Sequence, residues 1–149
     1  MKRLLLWGGS LLLFLGLAAV LLDIPVIMEG YLRHESFFQG KPTSYWKQKL
    51  AYRDRNYELV LKEFQKGGAA AVPVLVESLK DDKATVREGA ALALRKLGPE
   101  QARDAVPGLE EALKVKDGPI RIQVAKTLVE IDPSSTKAAP ALIECLGDP

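Results

Sequence analysis

AVPVLVESLKDDKATVREGAALALRKLGP (71–99) and AVPGLEEALKVKDGPIRIQVAKTLVEIDP (105–133) align without a gap at an offset of 34 residues, with 11 of 29 positions identical. A third copy opens at Ala138-Ala139-Pro140-Ala141-Leu142 and runs to Pro149. Self-similarity at such a period belongs to arrays in which each unit buries its apolar face only against its neighbours. Each unit reads as two helices. In the first, Val72, Leu75 and Leu79 recur at i, i+3 and i+7, as do Val106, Leu109 and Leu113, and this spacing lays an apolar stripe on one face. In the second, Val86, Ala90, Ala91, Leu94 and Leu97 match Ile120, Val124, Ala125, Leu128 and Ile131. The alanines predict close approach between helices. Pro73, Pro107 and Pro140 stand near helix starts, where a missing N–H costs little, and Gly98-Pro99 reads as a stop.

Working outward toward the amino terminus, a degenerate unit precedes these. Ser44-Tyr45-Trp46-Lys47-Gln48-Lys49-Leu50 reads as one helix and Tyr57 to Phe64 as the next, ending at Gly67-Gly68. No strand signal is found, so the fold class is all-α, a short solenoid of helical hairpins. Its units span about 43–68, 69–101 and 102–135, with a partial unit at 136–149 and a linker at 29–42. The final helix is apolar nearly all round. It predicts either a chain truncated relative to its relatives or an open end that meets a partner, with self-association through that end.

From Leu4 to Leu22 there is no charged residue. A helix of that length spans about 28 Å, close to a hydrocarbon core of about 30 Å. Residues 1–28 are therefore expected to form a cytoplasmic tip and a transmembrane signal anchor. Lys2 and Arg3 precede the run, which places the carboxy-terminal domain on the extracytoplasmic side of a single-pass protein. Cleavage after a signal peptide is the competing reading, with Gly16-Leu17-Ala18 as its site. A lipoprotein signal needs a cysteine just after the run, and none is there.

Composition removes several chemistries. The chain has 149 residues, a net charge of +2, one cysteine and one histidine. An intramolecular disulfide is impossible, and His34 has no neighbouring ligand at metal spacing. Residues 41–66 carry seven Lys/Arg against three acids, too mild a bias for a nucleic-acid face. Resting this cluster on anionic lipid conflicts with the outward orientation, because such lipid is a cytoplasmic-leaflet feature. No nucleophile stands beside a base. No catalytic residue, cofactor or metal site is expected.

The Ala-Val-Pro-x-Leu openings, the Val86-Arg87 and Ile120-Arg121 pairs and the Leu97-Gly98-Pro99 ending resemble HEAT repeats, nearest to the bacterial type named after phycobilisome lyases. The resemblance covers 69–149 well and 43–68 loosely. Gly40-Lys41-Pro42-Thr43-Ser44-Tyr45-Trp46 is similar to a lead-in of membrane-anchored bacterial HEAT proteins. The resemblance implies acid–arginine pairs in the turns, with Asp82–Arg87 and Asp117–Arg121 as the matching residues. It also implies a non-enzymatic, membrane-tethered scaffold for an unnamed protein partner. A chromophore-lyase-like component or an enzyme-complex subunit is the alternative.

Other residues carry two readings each. Glu77, Glu111 and Glu144 recur once per unit, either as an acidic stripe or as ordinary solvated polarity. Tyr45, Trp46, Tyr52 and Tyr57 form either an aromatic binding patch or a plug for the membrane-proximal end. Cys145 takes the slot held by Ser78 and Ala112, which suits packing better than reactivity. His34 beside Glu35 reads as a linker pair.

Overall fold

Pro73, Pro107 and Pro119 all lie in the first two positions of a helix, and those helices set the frame of the molecule. A computed structural model describes residues 23–52, 56–114 and 117–147. Residues 23–32 are helical. A hairpin of β1 (Phe37–Phe38) and β2 (Lys41–Pro42) follows. Then come α1 (Thr43–Ala51), α2 (Tyr57–Gly67), α3 (Val72–Ser78), α4 (Ala84–Leu97), the single turn α5 (Pro99–Ala102), α6 (Val106–Ala112), α7 (Gly118–Ile131) and α8 (Ala138–Gly147). Short 3₁₀ turns, Gly68–Ala71 and Arg103–Ala105, lead into α3 and α6.

The helices stack as hairpins. α3 packs on α4 and α6 on α7, while α1 packs on α3, α2 on α4, and α4 on α7. α8 closes against α7. One layer thus holds α1, α3 and α6, and the other holds α2, α4 and α7. Every residue of the two expected second-helix stripes is buried, from Val86 to Leu97 and from Ile120 to Ile131. In the first helices Val72, Leu75, Leu79 and Leu109 are buried, while Val106 and Leu113 pack half-buried against the same core. Ala90, Ala91 and Ala125 are fully inaccessible. Small side chains let α4 and α7 approach until the Thr127 hydroxyl reaches the Ala91 carbonyl at 3.3 Å. α4 ends as expected at Leu97, where Gly98 takes φ +80°, a left-handed conformation that glycine adopts without strain.

Two features depart from the sequence reading. The hairpin is a strand pair where none was expected. Phe37 pairs with Pro42 and Phe38 with Lys41 in antiparallel register, and the turn is made by Gln39 and Gly40, both at positive φ. Two consecutive positive φ values match the twist of a tight hairpin. Phe38 is buried in the core beside Trp46 and Phe64, so the stretch assigned to a linker contributes a core residue. The second concerns the expected membrane span. Residues 4–22 lie outside the described residues, and among those described no helix is long and apolar enough to cross a membrane.

Candidate interaction surface

The polar groups of the turn edge serve the stack itself. Arg87, near the start of α4, is largely covered. It donates from Nη1 to the carbonyls of Asp81 and Asp82, at 2.8 Å each. Its Nη2 donates to Asp117 of the following unit at 3.2 Å. Lys47 of α1 pairs with Asp81 in the next unit at 3.3 Å, and Arg121 with Glu144 of α8 at 3.3 Å. The expected partners within one turn, Asp82 with Arg87 and Asp117 with Arg121, are thus replaced by links that cross from unit to unit. Asp82 meets Arg87 through its main chain instead. The physical reason is reach. A long guanidinium side chain on the first turn of α4 spans the gap to the neighbouring turn, where the Asp117 carboxylate also accepts from the Ile120 N–H at the start of α7.

The three recurrent glutamates do different work, and no shared acidic stripe forms. Glu77 is half-buried and accepts from the Ser36 N–H at 2.9 Å and from the Thr43 hydroxyl at 2.7 Å. It ties the segment before α1 to α3. Glu111 is exposed and accepts from Lys114 one turn on, at 2.7 Å. That hydrogen bond and the ammonium charge hold its carboxyl below the ordinary glutamate value. Glu144 is the outer partner of Arg121.

The aromatic residues divide as well. Trp46 is buried and donates from Nε1 to the Phe38 carbonyl at 3.1 Å. Its ring lies 5.0 Å from Phe64, centroid to centroid. Tyr57 is also buried, Tyr45 is half-buried, and Tyr52 is exposed. Trp46 and Tyr57, with half-buried Tyr45, plug one end of the stack, while exposed Tyr52 stands apart from them, so the four do not gather into a binding patch. Phe38, which the sequence reading passed over, is central to that plug. Two adjacent phenylalanines ahead of a Gln-Gly turn were the available signal. Glu35 of the expected linker pair accepts from the Ser44 N–H at 2.7 Å and so secures the start of α1, while His34 turns the chain at φ +55°.

The basic cluster disperses. Lys41 pairs with Asp23 and Lys47 with Asp81, while Lys41 and Lys49 lie 5.4 and 5.5 Å from the Tyr45 ring centre. Arg53, Arg55 and the Cys145 side chain lie outside the described residues. A cleft of about 370 Å³ opens beside α1, lined by Arg33, Glu35, Lys47, Tyr52, Asp81 and Lys83. Its Glu35 and Asp81 carboxylates are already engaged, by Ser44, Lys47 and the Lys83 N–H. The remaining broad feature is the outer face of α2, α4 and α7. Leu59 and Lys62 lie one turn apart on α2, and Lys126 and Val129 one turn apart on α7, all exposed beside the exposed acids Glu58, Glu63 and Glu130, and Leu92 is half-buried on α4, the helix that packs between these two.

With this geometry in place, comparison with known families gives one match. A model of the PBS lyase HEAT-like repeat matches residues 86–114. The matched stretch runs from α4 through α5 into α6, the second helix of one unit and the first of the next. It contains Arg87, the Leu97-Gly98-Pro99 stop and the Ala105-Val106-Pro107 start, and it supports a HEAT-repeat protein. No curated protein and no solved structure matches the chain.

Proposed function

We propose that this chain is a non-enzymatic scaffold, tethered to a membrane by residues 4–22 and holding its helical repeats on the extracytoplasmic side. There it binds a protein partner on the outer face of α2, α4 and α7. One observation carries the reading. Three helices lie side by side, and their exposed side carries apolar Leu59 and Val129, with half-buried Leu92, among charges of both signs (Lys62 and Lys126, Glu58, Glu63 and Glu130), whereas the turn-edge charges pair with each other. Stacked repeats offer broad surfaces suited to this use. Apolar side chains set among charges of both signs suit a partner that presents apolar residues flanked by complementary charges. The HEAT-like match at 86–114 supports a scaffold of the same kind.

The test is proximity labelling from the full chain in its native cell, repeated with Leu59→Asp combined with Val129→Asp. Both positions are exposed, so the fold should tolerate the change. Loss of a defined labelled protein in the double variant, with retention in a Glu100→Ala control, is the expected result. An unchanged labelling pattern overturns the assignment of this face. Tethering is checked separately by resistance of the chain to alkaline extraction from membranes.

A further inference from the structure

Nine large apolar side chains are exposed among the described residues, and five of them, Ile24, Val26, Met28, Tyr31 and Leu32, fall within one short helical stretch. Residues 23–32 turn only one stripe toward the protein, Asp23, Ile27 and Gly30 at i, i+4 and i+7. At Gly30 the helix lies so close to the hairpin that an added Cβ would stand 2.3 Å from Pro42. Tyr31 packs on Phe37 with ring centres 4.6 Å apart, Asp23 pairs with Lys41, and Glu35 donates its N–H to the Gly30 carbonyl. The stretch is therefore fastened to a hairpin whose Phe38 sits in the core. The rest of its circumference is apolar, apart from Glu29 and Arg33, which pair with each other.

We infer that residues 24–32 form a collar embedded in the lipid interface, holding the repeats against the bilayer in a fixed pose rather than on a flexible linker. This rests on the tethering reading above. The occupant follows from what precedes the stretch in the chain. Nineteen uncharged residues, 4–22, end directly at Asp23, and at helical rise they span about 28 Å, nearly the whole hydrocarbon core. The exposed apolar surface thus begins where the headgroup region begins. The first charge met, Asp23, already has its counter-ion in Lys41. Tyr31 is a residue type favoured at that depth, with its ring in the apolar layer and its hydroxyl outside. Pro25 supplies no N–H, so a helix running through it lacks one backbone hydrogen bond there, and in the proposed collar the turn onto the surface falls at that residue. An amphipathic segment lying in the interface buries its apolar side at the boundary between acyl chains and headgroups.

The test uses the full chain in nanodiscs of phosphatidylcholine and phosphatidylglycerol. Cys145 is replaced by serine, the residue at its aligned position Ser78, and single cysteines replace Met28, Leu32 or, as control, Leu59. Each carries an environment-sensitive fluorophore, and the lipids are brominated either near the headgroup or deep in the acyl chain. Blue-shifted emission at 28 and 32, quenched by the shallow bromines and not at 59, is the expected pattern. Labels at 28 and 32 that behave like the one at 59, in chains that remain disc-bound, overturn the collar and leave the tether standing. Failure of the chain to enter discs overturns both. Disulfide cross-linking between copies at position 32 without bromine quenching assigns the face to a second copy and equally overturns the inference.

Discussion

Replacing Phe38 by alanine tests whether the hairpin belongs to the core. Phe38 is 4% exposed, its ring centre lying 5.1 Å from Trp46 and 5.6 Å from Phe64. Truncating a buried phenylalanine costs about 3–5 kcal/mol, as lost transfer energy and an unfilled cavity. Of this, about 0.5–1.5 kcal/mol per pair reflects ring geometry. Domains are stable by about 5–15 kcal/mol, so the loss is a large share, and the melting temperature should fall by about 10 °C or more. Gly67 sharpens the test. A Cβ added there would lie 2.2 Å from two ring carbons of Phe38. Its φ of −76° is open to any residue, so space and not conformation demands glycine. Gly67→Ala should therefore cost about 1–3 kcal/mol in the natural chain through overpacking. In a Phe38→Ala background the same methyl enters vacated volume, and alanine's better helix propensity, about 1 kcal/mol, makes the change neutral or stabilising. The assay is equilibrium denaturant unfolding in detergent, followed by Trp46 fluorescence with Trp7 replaced by phenylalanine. Equal costs of Gly67→Ala in both backgrounds would refute the packing argument. So would a Phe38→Ala cost below about 1 kcal/mol, the typical effect of an arbitrary substitution.

Three further outcomes follow from the same geometry. Arg87→Met should cost about 1–3 kcal/mol by leaving the Asp81 and Asp82 carbonyls without their donor. A double-mutant cycle with Asp117→Asn should show coupling up to about 1 kcal/mol, readable by denaturant unfolding. Gly108→Ala places a methyl 2.6 Å from a Val76 methyl and should destabilise by about 1–3 kcal/mol, with recovery on adding Val76→Ala. Lys114→Met should raise the Glu111 carboxyl back toward its ordinary value, visible in a carboxyl NMR titration. A carboxyl lowered in the folded state contributes stability above its unfolded pKa and loses that contribution as pH falls through the folded pKa. The two proteins should therefore converge in stability at acid pH.

The repeat was legible because burial imposes a period. Positions 86, 90, 91, 94 and 97 must all be apolar or small if α4 is to lie between α2 and α7, and the chain shows the same set 34 residues later. The hairpin was not legible in this way. Two-residue strands are too short to show alternation, and Phe38 declares itself only through distant Trp46 and Phe64. The ion pairs failed for a related reason. Reading along the chain favours the nearest acid, Asp82, yet stacking brings Asp117 to Arg87 across 30 residues of sequence. The glutamates share a register and differ in surroundings. Glu77 has Ser36 and Thr43 before it, whereas Glu111 faces solvent and its own Lys114. A repeat in the sequence predicts equivalent backbone positions, and what fills the space beside each depends on its neighbours.

That dependence gives α2 a particular position in the molecule. Phe64 on its inner side touches Phe38 of the hairpin, while Leu59 on its outer side belongs to the face proposed for the partner. The separation of five positions turns the helix by about 140° at 3.6 residues per turn, enough to send the two side chains to nearly opposite surfaces. The hairpin in turn holds Gly30 through Pro42 and Asp23 through Lys41. One continuous series of packed contacts thus runs from the helical stretch 23–32, through Phe38 and Phe64, to the helix that carries Leu59. Protein interiors are close-packed and resist gradual deformation, so a scaffold connected in this way sets the height and tilt of its binding face by its own packing. A flexible tether of similar length would leave both undefined. For a protein whose proposed task is to present a surface beside a membrane, burying Phe38 is what converts an anchor into an orientation.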